Sequence, residues 1–241
     1  PEPYILSQGV TYALDLGTAG SETFEYYRKN VRYTTDLRYR SYINMGKYGM
    51  HDSRKDIESA EDIDAEAIKS FCQQYPDEII GLKIRIDEKF CFDSQYVLER
   101  TRELADKLKL PIVVHAPRCP LKLETVLSYL KKGDIMAHTF AGLTPQMKIV
   151  DEEGKLRPCV TEARNRGVIF DLSHGTNQYS FQVAEQAWKE GFLPDIISSD
   201  LHHINIHGPV YNLAVILSKI HGLTNLDWFE LLRKVTIVPA E

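Results

Sequence analysis

The sequence predicts an α/β fold built on a parallel sheet, and three observations carry that prediction. Short β-branched runs alternate with longer helical patterns from end to end. Strand starts fall near residues 9, 39, 79, 112, 134, 167 and 195, a step of about 31 residues, which suits one strand and its returning helix. No composition shift or linker marks an internal boundary, so residues 1–241 read as one domain. A closed TIM-type (β/α)8 barrel and an open doubly wound sheet both fit this period.

Residues 9–16 (GVTYALDL) form the first strand, ended by Gly17 and Gly20, and a helix follows over 23–30. Residues 39–45 (YRSYINM) alternate as a strand does. Within 62–75, Ile63, Ala67, Ile68 and Phe71 fall at helical spacing, and Pro76 stops that helix. IIGLKIRI at 79–86 is the third strand. Asp93 caps a helix reaching about residue 108, and after Pro111 comes the strand IVVH at 112–115. Residues 121–130 are helical, 134–139 (DIMAHT) a short strand, 140–154 a loop and 158–166 a helix. GVIFDL at 167–172 and DIISSD at 195–200 are the last two strands, with a helix over 180–190 between them. Helices fill most of what remains.

Composition narrows the function classes. With 26% charged and 43% hydrophobic residues the chain lies in the globular range. A net charge of −5 and no basic block argue against a nucleic-acid partner. No apolar run approaches the ~18 residues of a membrane span, and no signal-peptide pattern opens the chain. The four cysteines are scattered, with no CxxC pair, as expected of reduced thiols in a cytoplasmic protein. No GxGxxG follows the first strand, and residues 15–20 are not a P-loop, so cofactor-phosphate binding has little support. The chain opens on Pro1-Glu2-Pro3 without an initiator Met, which reads as a fragment.

The polar residues at strand ends favour the barrel. His115 closes IVVH, His138 closes AHT, His174 follows FDLS and Asp200 closes ISSD. In a parallel sheet these ends share one edge, and a barrel gathers them within a few ångströms. Lys83 lies inside a strand, between Leu82 and Ile84, where an ammonium is costly unless it is paired or neutralised. Two imidazoles and a carboxylate form a donor set for a divalent metal, with zinc the leading candidate. Each residue alone has a blander reading: a hydrogen-bonded histidine, a helix-capping aspartate, a snorkelling lysine. Their combination points to a metal site. His202, His203 and His207 crowd the loop after Asp200, as substrate contacts or solvated side chains; His51 and His221 read as structural or surface residues.

In their order, Lys83 in GLKIRI, His115 in PIVVHAP, His138 in GDIMAHTFAG and Asp200 in PDIISSDLH carry a resemblance. The chain resembles the amidohydrolase superfamily of metal-dependent hydrolases. Within it, the dihydroorotase and D-aminoacylase-like branch is most similar, especially the amidohydrolase/deacetylase group. GVTYALDLGTAGSETF, GVIFDLSHGTNQYSF and GFLPDIISSDLHHINIHGPVYNLAVILSKI also match that group, so the likeness runs from about residue 9 to 236. It implies that Lys83 is carboxylated by CO2 and that its carbamate bridges two Zn2+ ions. His115 and His138 would ligate the second metal; Asp200 would ligate the first and act as general acid/base. The implied activity is hydrolysis of an amide or ester bond in a small molecule, such as an N-acyl amino acid, a cyclic amide or an acetylated hydroxy acid. Arg85, on the face of Lys83, could pair with a substrate carboxylate or form a structural ion pair. His174, Gly175 and His203 are further candidate substrate contacts, Gly175 because its backbone permits close approach. A homo-oligomer is compatible with this reading.

The departures set further expectations. The superfamily places an HxH pair on its first barrel strand, and no HxH occurs here; His202 and His203 are adjacent. Seven βα units are counted where the barrel has eight, the first being the one not seen, and the small accompanying β-domain is also missing. The expectation is a barrel truncated at its N-terminus that holds one metal or none and is impaired as it stands. Two other readings are a catalytically inactive barrel that binds a ligand or partner, and a Schiff-base lyase using Lys83.

Overall fold

Strand and helix alternate as the period requires. In the computed structural model, which describes residues 4–31, 34–50 and 54–241, a short helix α1 (Tyr4–Ser7) precedes β1 (Tyr12–Leu16). Then follow α2 (Phe24–Asn30), β2 (Arg38–Asn44), α3 (Ala65–Gln74), β3 (Ile79–Arg85), α4 (Ser94–Leu108) and β4 (Ile112–His115). The second half holds α5 (Leu123–Ser128), β5 (Ile135–Met136), α6 (Pro158–Asn165), β6 (Ile169–Phe170), α7 (Phe181–Lys189), α8 (Leu213–Thr224) and α9 (Trp228–Val235). His51 lies outside the described residues.

The six strands pair in parallel in the order β1-β2-β3-β4-β5-β6. A doubly wound sheet reverses its order at a switch point. This sheet never does, which is the winding of a (β/α) barrel.

The predicted seventh strand, 195–200, joins the sheet by a single parallel bridge between Asp171 and Ile196. It still runs beside the chain after β6: Leu172, His174 and Gly175 donate their N–H groups to the carbonyls of Ile196, Ser198 and Ser199 at 3.1–3.2 Å. Regular pairing fails because Ser173, Gly175 and Asp200 have φ of +40°, +60° and +48°, outside the extended region. His138, at φ +57°, likewise ends β5 earlier than its sequence run suggests.

Side-chain alternation divides the core in two. Ile43, Leu82, Ile84, Ile112, Val114, Met136, Phe170 and Leu172 face the helices in the larger cluster. Tyr42, Val113, Ile135 and Ala137 line the inner face, with Leu14, Leu16, Ile80 and Ile169 against them. A register shift at Ser41/Tyr42 against β3 lets Lys83, next to Asn44 and Val113 in the ladders, occupy the inner phase. The N-terminal edge is fastened by Asp134, which accepts from the N–H groups of Ile112 and Lys131 at 2.8 and 2.7 Å and from Arg102 Nη1 at 2.6 Å. The C-terminal edge is left for chemistry.

Candidate active site

Lys83, His115 and His138 are buried together at that edge. The two imidazoles meet edge to face, their ring centres 4.6 Å apart. His138 Nε2 faces Asp200 Oδ2 at 3.9 Å, and the Asp200 side chain is 41% exposed, open to an incoming molecule. The Lys83 stem packs against Gly17 at the end of β1: a Cβ there would lie 2.5 Å from Lys83 Cγ, and Gly17 has φ +86°. Gly175 is equally constrained, since a Cβ on it would lie 2.9 Å from Asp200 Oδ2. Three of the six non-glycine residues with positive φ among the described residues (His138, Ser173 and Asp200) sit at this edge, a concentration of strain typical of functional sites.

Burial controls the electrostatics. It lowers the Lys83 amine to about 8, against the opposing pull of Asp200. At pH 7 roughly one such lysine in ten is then neutral, against about one in three thousand for an ordinary lysine. Burial, helped by the neighbouring His115, lowers His138 to about 3, and burial with the nearby Lys83 takes His115 well below its usual range. Both imidazoles are therefore neutral and carry a free lone pair. His138 Nδ1 lies 2.7 Å from the carbonyl oxygen of Ser173, which can only accept, so Nδ1 holds the proton and Nε2 the lone pair. His115 Nε2 lies 3.4 Å from Asp87 Oδ2, and burial raises the Asp87 carboxyl to about 6. Among the described residues, no three His, Cys, Asp or Glu side chains come close enough to hold a metal by themselves. A divalent ion held at this edge would need Lys83 among its donors.

No family model matches the chain. A deacetylase of Enterococcus faecalis is 31% identical over 246 residues, covering 100% of this chain and 65% of that protein. The crystal structure of an adenine deaminase superposes with a TM-score of 0.89 at 30% identity, over 96% of this chain and 63% of the other. A dihydroorotase structure gives 0.87 at 28% identity, over 95% and 64%. Adenine deaminase and dihydroorotase are amidohydrolase-superfamily enzymes, and the chain is similar to them in fold and in the winding of its sheet. The chain spans just under two thirds of the length of these relatives.

Lys83, His115, His138 and Asp200 lie at one edge of the sheet, whereas the expected substrate contacts behave differently. Arg85 donates from Nε and Nη2 to Asp56 at 2.7 and 2.5 Å and lies over the Phe90 ring. Of its two readings, the structural ion pair is the one formed. His174 has both ring nitrogens engaged, Nδ1 with the Gly175 carbonyl at 2.9 Å and Nε2 with Lys219 Nζ at 3.3 Å, and it stacks on Tyr179. His203 is exposed on the loop after Asp200, its ring beside His202. His221 is structural: its Nδ1 bonds the Leu226 carbonyl and its ring packs on Trp228. Sequence reasoning missed Asp56, Asp87 and Asp171. Asp171 had a signal, an acid in phase with the inner face of GVIFDL, the same kind of anomaly that exposed Lys83.

Proposed function

We propose that the protein is a metal-dependent hydrolase that cleaves an amide or ester bond of a small acyl compound. The convergence of Lys83, His115, His138 and Asp200 on one edge of a sequentially wound sheet carries this reading. Lys83, as a carbamate, would hold the metal with His115, His138 and Asp200, and zinc suits that mixture of nitrogen and oxygen donors. A divalent metal held there supplies Lewis acidity, which polarises a carbonyl and lowers the pKa of water. The chain's own residues do the rest. The neutral Lys83 amine attacks CO2 and releases one proton, forming the carbamate. Asp200 takes a proton from the attacking water and gives it to the leaving nitrogen or oxygen as the acyl bond breaks. The neutral imidazoles keep their lone pairs for the metal at neutral pH. The deacetylase relative agrees with an acetyl group as the acyl part.

The test is hydrolysis of a panel of N-acetyl amino acids, cyclic amides and acetylated hydroxy acids, with zinc and bicarbonate supplied. Turnover should vanish on chelation, return with zinc and be lost in Lys83→Ala. Less than one ion per chain after loading, with no turnover of any panel member even when the chain is extended to the length of its relatives, would defeat the reading. The depressed Lys83 pKa also suits a Schiff-base lyase. Borohydride trapping with a keto substrate would label Lys83 in that case only.

A further inference from the structure

Asp171 stands outside the set of Lys83, His115, His138 and Asp200, yet it is 2% exposed and points to the inner face just beyond β6. Its Oδ1 accepts from the Ser173 N–H at 3.2 Å, two residues on, as in an Asx turn. Its Oδ2 accepts from the hydroxyls of Ser173 at 2.5 Å and Ser198 at 2.7 Å. The turn holds Ser173 at φ +40°, a conformation that a side-chain-bearing residue keeps only when its surroundings over-determine it. In that conformation the Ser173 carbonyl reaches His138 Nδ1. Ser198 lies two residues before Asp200, and its own carbonyl accepts the His174 N–H. One carboxylate thus clamps the segment that orients His138 to the segment that delivers Asp200.

We propose that Asp171 is a positioning residue: with Ser173 and Ser198 it fixes the Nδ1–H tautomer of His138 and sets Asp200 against its Nε2. The purpose of that clamp rests on the hydrolase reading, but its existence can be tested without turnover. Asp171→Asn keeps the shape but replaces one acceptor oxygen by a donor, so hydroxyls must turn around. Ser198→Ala deletes a single hydroxyl, a change small enough to leave the fold intact.

In metal-free protein carrying 15N-histidine, long-range 1H–15N correlation spectra should show His138 as the pure Nδ1–H tautomer. Asp171→Asn and Ser198→Ala should each yield a tautomer mixture and weaken zinc binding by about 10–100-fold, the usual effect of losing an outer-shell partner. Ser198→Thr, which keeps a hydroxyl, should restore both to within a few-fold of wild type. Folded variants that keep the pure tautomer and wild-type zinc affinity, losing only thermal stability, would overturn the proposal. If the variants shift the tautomer but the wild type hydrolyses nothing, the clamp stands and the hydrolase reading fails.

Discussion

Removing the Asp56 carboxylate asks whether the Arg85 guanidinium serves the fold or a ligand. Asp56 is 1% exposed and the Arg85 side chain 14%, so Asp56→Ala strands a cation in a site with little water. Breaking such a pair from one side typically costs about 3–5 kcal/mol. The stacking of Arg85 on Phe90 offsets only about 0.5–1 kcal/mol of that. For a chain of 241 residues the unfolding entropy is about 0.5 kcal/mol/K, so the net cost of about 2–4.5 kcal/mol lowers Tm by about 4–9 °C. Denaturant unfolding of Asp56→Ala, Arg85→Met and the double variant closes a cycle that isolates the pair from the other contacts of Asp56. A coupling of at least about 1.5 kcal/mol is expected, in the range of directly contacting residues. A coupling below about 0.5 kcal/mol, with Tm unchanged, would show that the pair does not form in solution. Arg85 would then be free to hold a substrate carboxylate, and the structural assignment would be wrong.

Three further outcomes follow from the same contacts. The metal-free Lys83 pKa of about 8 lies below its ordinary value, so the unfolded chain binds that proton more tightly. Stability should therefore be lower by about 2–4 kcal/mol below pH 8 and rise between pH 8 and 10.5, and urea titrations of Lys83→Met should lack that rise. Gly17→Ala places a methyl 2.5 Å from Lys83 Cγ at a positive φ; it should cost about 1–3 kcal/mol and reduce bound zinc, and normal zinc uptake would contradict the packing. Asp134→Ala should lower stability by about 3 kcal/mol without altering KM in the hydrolysis assay, because its partners lie at the edge opposite the site.

What was legible in the sequence was whatever depends on strand phase. Lys83 and His115 occupy alternate, inward positions of apolar strands, so a charged or titratable side chain there breaks the pattern visibly. Period alone did not give the order of the sheet, since barrel and doubly wound chains share it; the polar strand ends favoured the barrel, and the pairing of neighbours agrees. Asp56 escaped because its partner Arg85 is 29 residues away and no local rule joins them. The shortened β5 and β6 escaped for a different reason. His138 and Ser173 adopt left-handed backbone conformations that the strand pattern of their own runs does not announce, and they hold them beside hydrogen bonds to distant and neighbouring groups.

Because strand neighbours in space are also neighbours along the chain, the centre is assembled in order of synthesis. A nascent chain that has emerged past β4 already carries Lys83 and His115; β5 and the residues just after it add His138. Asp200, and with it the Ser198 half of the clamp, emerges last. Until residue 200 leaves the ribosome, the amine and the two imidazoles lack their acidic partner, so the edge is completed only late in synthesis.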